Sequence, residues 1–341
     1  MSSPTLAEFK SWVFQTFENK FVENGYADLE EVADDLDLID SGVLDSLELL
    51  DLLEQFYATF SIAIDLSDVE DEIFTSIAGL YDRIAVTPEA DKGATPAEIT
   101  RETFRAMLVD LGVGPGDTLL VHAALQRMGT VVDGVTGILA ELQSLVGPQG
   151  TLLAPAANIQ AFLDGGFDPV DTPVQLDLGS LPEAIRQLPD AVRSDNPFES
   201  VCGTGPRAAD ICGFPNRYCY GEHSPWRAVL HHDAKLLLLG SGFYYASIVH
   251  AGEVACNVPY RSWKQFAGEI GPAGKREQIE INLYARSRDL KCYYNRIADL
   301  DQVKANLKTS RTDYGEVSCI DLNVVYQAIL DTLQTNPDYF L

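Results

Sequence analysis

Three continuous apolar runs limit the folds open to this chain more than any other feature: Thr118–His122 (TLLVH), Thr151–Pro155 (TLLAP) and Lys235–Gly240 (KLLLLG). Each is a run of the kind buried on both faces of a sheet. Around them, apolar residues recur at helical spacing in Thr100–Leu111, Val135–Val146, Leu181–Leu188, Ala246–Cys256 and Ser318–Leu333. Strands alternating with helices predict an α/β layered domain over residues 98–341, with its sheet covered by helices.

Residues 1–85 follow a different rule. Leu6, Phe9, Val13, Phe14 and Phe17 recur at helical spacing, and a polar, acidic loop runs from about Asn24 to Asp40. A second helix is expected from Ser46 to about Phe60, and a last one around Ile73, Ile77, Leu80 and Ile84, making a small all-α helical bundle. Pro88, Gly93 and Pro96, with no apolar periodicity, mark residues 86–97 as a flexible linker. As a coil it spans roughly 19 Å, and about 40 Å at full stretch.

Charge divides the chain at the same place. Of the net −27, residues 1–90 carry −18, from 21 Asp or Glu against 3 Lys or Arg. So acidic a chain repels phosphate backbones, which argues against nucleic acid as a partner and favours a basic protein surface or a cationic small substrate. No run of about 18 uncharged apolar residues and no basic-then-apolar leader is present, so a soluble, cytoplasmic protein without a membrane partner is expected. The six cysteines include no CxxC pair, so they read as reduced thiols, neither a zinc ribbon nor a disulfide framework.

Asp40-Ser-Gly-Val-Leu-Asp-Ser-Leu-Glu48 sets Gly42 in a turn before a helix that Asp45 and Glu48 fit as a capping box. Ser46 would then lie in the first turn, where a phosphodiester would meet the positive end of the helix dipole. Asp45-Ser46-Leu47 after this turn, followed by an acidic helix in a bundle of this size, resembles the acyl and peptidyl carrier protein family. That resemblance implies a 4'-phosphopantetheine on Ser46, loaded by a phosphopantetheinyl transferase. It also implies pathway enzymes docking on an acidic helix with Glu48, Asp51 and Glu54, although these three equally suit an ordinary solvated face.

Beyond the linker, Thr118–His122, Gly147–Thr151, Phe167-Asp-Pro169, Arg193-Ser194 with Pro197, His223-Ser-Pro225, Leu236–Gly240, His250-Ala-Gly-Glu253 and Val258-Pro-Tyr260 occur in an order that resembles the aminoglycoside 3-N-acetyltransferase family. The resemblance implies the antibiotic acetyltransferase α/β fold, distinct from the GNAT fold, and acyl transfer from a thioester to an amine. Such chemistry needs a base for the amine proton, and histidine suits it near neutrality. His250 and Glu253, three apart, share a helical face, so Glu253 can orient the ring; Asp168 is a second candidate partner. The same pair elsewhere would be a surface ion pair. His122 either packs in the core or meets pantetheine, and Ser224 either donates to the thioester or caps a turn. No third ligand has metal-site spacing beside His250 and Glu253, so no metal is expected. Ala123-Ala124 and Asn196 depart from the family pattern, which places hydroxyls after the strand histidine and a histidine before Pro197.

Together these features predict an N-acyltransferase that uses the thioester on its own carrier to acylate a small amine. Two alternatives remain: acetyl-coenzyme A acetylating an amine tethered to the carrier, which makes coenzyme A or an acyl-coenzyme A the cofactor, or a silent module on which the carrier docks.

Overall fold

The computed structural model describes residues 4–39, 41–44, 75–85 and 98–341 apart from 176–177, 214, 288–289, 291 and 313–314, with single positions between 48 and 60. Asp45, Ser46, Leu47, Asp51, Glu54 and the expected linker 86–97 lie outside the described residues. The chain divides into two compact units, Met1–Thr95 and Pro96–Leu341.

In the first unit, α1 (Leu6–Thr16) begins with a reciprocal cap. The Glu8 N–H donates to the Thr5 hydroxyl at 3.3 Å, and the Thr5 N–H donates to the Glu8 carboxylate at 2.7 Å. A break at Phe17 separates it from α2 (Glu18–Glu23), and α3 (Ile77–Ala85) closes the unit. Phe9, Val13, Phe21, Leu38, Val43, Leu52, Phe56, Ile77 and Leu80 share one core. Burying side chains of this size contributes about 1.5–3 kcal/mol each, which helices this short need in order to persist. Gly42 takes φ +75°, a left-handed turn that side chains resist, and Glu48 and Leu49 beyond it are helical. Glu48 pairs with Lys20 at 2.5 Å, so its charge is matched within the unit.

The second unit runs α4 (Arg101–Asp110), β1 (Thr118–Ala123), α5 (Gly134–Val146), β2 (Thr151–Pro155), α6 (Ile159–Leu163), α7 (Ser180–Arg186), β3 (Val192–Arg193), β4 (Val201–Thr204), α8 (Ala208–Cys212), α9 (Pro225–Ala228), β5 (Lys235–Leu239), α10 (Ile248–Cys256), β6 (Arg261–Ile270), β7 (Glu277–Arg286), α11 (Asp301–Asn306), β8 (Lys308–Arg311), β9 (Glu316–Asp321) and α12 (Leu322–Thr335). The main sheet has the order β3-β4-β2-β1-β5-β9-β8. The three apolar runs are its centre: β1 pairs in parallel with β2 and β5, and the flanking pairings are antiparallel. Side chains alternate across it. Leu120, Leu153, Leu236, Leu238 and Ile320 meet α10 and α12 through Ile248, Val249, Val325 and Ile329. Leu119, Val121, Leu152, Leu237, Leu239 and Val317 meet α4, α5 and α7 through Phe104, Leu142 and Ile185. Both faces are thus covered, which is why the runs lack alternation.

Two expectations change. The stretch Ser318–Leu333 is not one helix: Glu316–Asp321 pairs as a strand with β5, and Asp321 then caps α12 by accepting the Asn323 N–H at 2.8 Å. Val317, Cys319 and Ile320 gain more by covering the open side of β5 than a helical start would give them. The separate hairpin of β6 and β7 was not anticipated; its polar-apolar alternation around a turn with Gly271, Pro272 and Gly274 carried the signal.

Candidate active site

The sequence HAGEVACNVPYR builds most of the site within twelve residues. Helix α10 places His250 and Glu253 on one face, and Gly252 lets it approach α12: a Cβ there would lie 2.4 Å from Ile329 Cγ2. Asn257 ends the helix at φ +50°, a left-handed conformation that asparagine tolerates. The Tyr284 hydroxyl, 2.8 Å from the Val258 carbonyl, ties the returning chain to β7. Tyr260 and Arg261 consequently come back beside the helix they have just left.

Glu253 is fully buried, and every lone pair it needs to satisfy has a donor nearby. Its Oε1 accepts the Tyr260 hydroxyl at 2.8 Å and the Tyr294 hydroxyl at 2.9 Å. Its Oε2 lies 2.7 Å from His250 Nδ1 and 2.9 Å from Arg261 Nε. Burial pushes the carboxyl pKa up, but the hydrogen bond from His250, the charges of His250 and Arg261, and the bond from Tyr260 outweigh it, holding the value at about 2. Burial beside that charge pushes the Tyr260 and Tyr294 phenols upward, so both stay neutral donors.

An ionised Glu253 only accepts, so Nδ1 of the neutral imidazole carries the hydrogen and donates it. Arg261 Nη2, 3.2 Å from Nδ1, is then a charge neighbour without a hydrogen bond to it; it donates to the Tyr294 hydroxyl at 2.7 Å instead. This leaves His250 Nε2 with a free lone pair on a side chain 26% exposed, whereas Glu253 is at 0%. The arrangement has the chemistry of a base on a part-exposed side chain whose inner nitrogen is clamped.

A row of rings leads away from it. Tyr294 lies 5.3 Å from His250 and Tyr220 lies 5.0 Å from it; Tyr220 is 5.7 Å from Trp226, which is 6.0 Å from His122. His122 closes β1, is buried, and has no hydrogen-bond partner at Nε2 among the described residues. Burial lowers its pKa to about 4, so it is neutral. Ser224, two residues before Trp226, sits at the start of α9 with its buried Oγ also unpartnered, and makes no cap bond. Leaving a buried polar group unsatisfied costs about 1–3 kcal/mol, so these two atoms are suited to a bound polar group such as pantetheine.

Asp168 is not brought to this site. Its Oδ1 accepts the Val170 N–H at 2.9 Å and the Asp171 N–H at 3.4 Å, closing its own loop, and among the described residues no hydrogen bond joins it to His250 or Glu253. Arg193 holds the same region through the carbonyls of Thr172 and Ala156, with its guanidinium 4.5 Å from the Phe167 ring centroid. Asn196, where the family pattern has histidine, is buried and accepts the Phe198 N–H at 3.0 Å, a turn-closing role. Burial raises the Cys256 thiol, which gives it no nucleophilic character. Among the described residues, no group of three or more His, Cys, Asp or Glu is placed to hold a metal. Tyr260, Arg261, Tyr294 and Tyr220 escaped the sequence reading as functional residues. The first two adjoin the HAGE motif, but nothing local points to Tyr294, which lies 41 residues beyond Glu253.

Residues 120–334 match the family described as aminoglycoside 3-N-acetyltransferase. Aminoglycoside N(3)-acetyltransferase IV from Salmonella sp is 35% identical over 154 residues, 45% of this chain and 58% of that protein, so the chain spans little over half of this relative. Aminoglycoside N(3)-acetyltransferase III from Serratia marcescens is 32% identical over 195 residues, 52% of this chain and 72% of that one. Among solved structures, the apoenzyme of aminoglycoside acetyltransferase AAC(3)-IVa superposes with a TM-score of 0.62 at 26% identity, covering 73% of this chain and 93% of its own. AAC-IIIb, in a binary structure with CoASH, gives 0.64 at 24% identity over 70% and 97%, a likeness of fold. A mixed sheet with both faces covered and a match over residues 120–334 place this chain in the aminoglycoside 3-N-acetyltransferase family.

Proposed function

We propose that the chain is an N-acyltransferase in which His250 takes the proton from an amine as the amine attacks a pantetheine thioester. The observation that carries this reading is the Glu253 clamp, which commits Nδ1 to a 2.7 Å hydrogen bond and keeps Nε2 available. The amine nitrogen bonds to the acyl carbon as Nε2 accepts its proton. The imidazolium that forms is stabilised by the adjacent Glu253 charge, then returns the proton to the departing sulfur when the C–S bond breaks. Tyr260 and Tyr294 hold the carboxylate so that it supports the ring without reorganising. His122 Nε2 and Ser224 Oγ, unpartnered beside Trp226, are assigned to the pantetheine end.

Coenzyme A is the donor form favoured by the relatives, since AAC-IIIb was solved with CoASH. Small amines are the acceptor class, since a mutant of AAC(3)-IVa was solved in complex with a gentamicin. The first unit favours a second donor form, 4'-phosphopantetheine on Ser46. That form is supported by Asp45-Ser46-Leu47 after the left-handed turn at Gly42. A tether of this kind gives effective concentrations in the millimolar range, which would serve transfer either from or to the carrier.

Acetyl-coenzyme A and gentamicin are suitable first probes, with released thiol as the signal. His250→Ala should lower turnover by about 10²–10⁴-fold, as expected for loss of a positioned base. Undiminished turnover in the folded variant would reject the assignment. For the second donor form, coenzyme A and a broad phosphopantetheinyl transferase should add one arm by intact mass, and Ser46→Ala should accept none. An arm on Ser46→Ala would rule out that serine.

A further inference from the structure

Among the described residues, four that are not glycine have positive φ: Asp133, Tyr220, Asp233 and Asn257. Three are Asp or Asn, whose short polar side chains tolerate the left-handed region; Tyr220, at φ +58°, is a bulky aromatic that resists it. Such a conformation persists only where its surroundings over-determine it, and here they do. The Tyr220 N–H donates to one oxygen of the Glu199 carboxyl group, whose pKa burial pushes well up, and the Asn216 amide donates to the other. The Glu199 carbonyl in turn accepts the Trp226 indole N–H at 2.9 Å. On the other side of the turn, the Cys219 N–H donates to the Asn282 carbonyl at 2.9 Å, tying it to β7.

What this strain places is a ring. Tyr220 lies 5.0 Å from His250, inclined at 63°, while Tyr294 lies 5.3 Å from it at 84°. The imidazole can turn only about its Cα–Cβ and Cβ–Cγ bonds, and the Glu253 bond at Nδ1 restrains those two torsions through one contact that can bend as they change. Tyr294 is itself held by Glu253 and Arg261, so its place follows from the clamp, whereas Tyr220 is placed by a separate turn. We propose that Tyr220 is a positioning residue: its ring, set by the left-handed backbone that Glu199 holds, fixes the plane of His250 and so the direction of Nε2. This rests on His250 being the base. Because Tyr220 also touches Trp226, beside His122 and Ser224, it sets that direction relative to the end assigned to the thioester.

The test needs no substrate. The Nδ1–H of His250, bonded to a buried carboxylate, should give a downfield proton resonance that is protected from water and missing in His250→Ala. Tyr220→Phe keeps the ring and should keep the resonance. Tyr220→Gly suits the backbone but deletes a ring packed against two apolar clusters, so it should melt lower than wild type; its Nδ1–H should exchange at least about ten-fold faster relative to the β5 amides of the same protein, the mark of local rather than global opening. A wild-type resonance in Tyr220→Gly would overturn the proposal, as would its absence from the wild type. Failure of the base assignment would look different: a resonance that depends on Tyr220, with transfer unimpaired in His250→Ala.

Discussion

Replacing Glu253 by glutamine separates the charge of the clamp from its shape. Oε1 accepts two hydroxyls, while Oε2 meets the His250 nitrogen and, as an ion pair without hydrogen-bond geometry, Arg261 Nε. A glutamine amide should turn its NH2 towards Tyr260 and Tyr294, since hydroxyls can rotate to accept and the His250 and Arg261 donors cannot. Arg261, 9% exposed in its side chain, would lose its buried counter-charge. In wild type the carboxyl falls from 4.5 to about 2 on folding, a gap worth roughly 3 kcal/mol and in line with the usual cost of breaking a buried pair. For a unit of this size that predicts a melting temperature lower by about 6–12 °C at pH 7. Because the folded pKa is depressed, this stabilisation is present above 4.5 and lost as pH falls towards 2, so the two proteins should converge in acid. Turnover should fall by about 10–10²-fold, less than in His250→Ala, because the imidazolium loses its counter-charge while Nδ1 keeps an acceptor. Thermal unfolding by circular dichroism between pH 3 and 7, with turnover at pH 7, checks both parts. Equal melting temperatures at pH 7, or a gap that widens in acid, would refute the reasoning.

Ser224→Ala removes a buried hydroxyl with no partner among the described residues, so the unliganded protein should melt no lower than wild type while KM for acetyl-coenzyme A rises. A lower melting temperature with unchanged KM would return Ser224 to a structural role. Gly252→Ala would press a Cβ against the branched Ile329 side chain, and overpacking of this kind costs about 1–3 kcal/mol. Denaturant unfolding should register that loss, and an unchanged midpoint would mean that α10 shifts freely over α12.

Much of this protein follows from patterns that the chain carries locally. The central strands were legible because TLLVH, TLLAP and KLLLLG leave no polar face for solvent, and the structure covers them from both sides. His250 and Glu253 were legible as a pair because helical geometry brings residues three apart together whatever surrounds the helix. Tertiary structure decided what the pair is worth. A helix alone would leave Glu253 in water, whereas burial with Tyr260, Arg261 and Tyr294 makes it a fixed charge. Asp168 shows the same dependence on packing, since its loop turns its Oδ1 onto the backbone N–H groups of Val170 and Asp171. The Ser318 region became a strand because β5 presented an unpaired edge, which no window of the sequence around Ser318 contains. Periodicities of two and 3.6 residues record which face of an element is buried; they do not record which distant element covers it. That information belongs to packing, and packing brought Tyr220 and Tyr294 against His250.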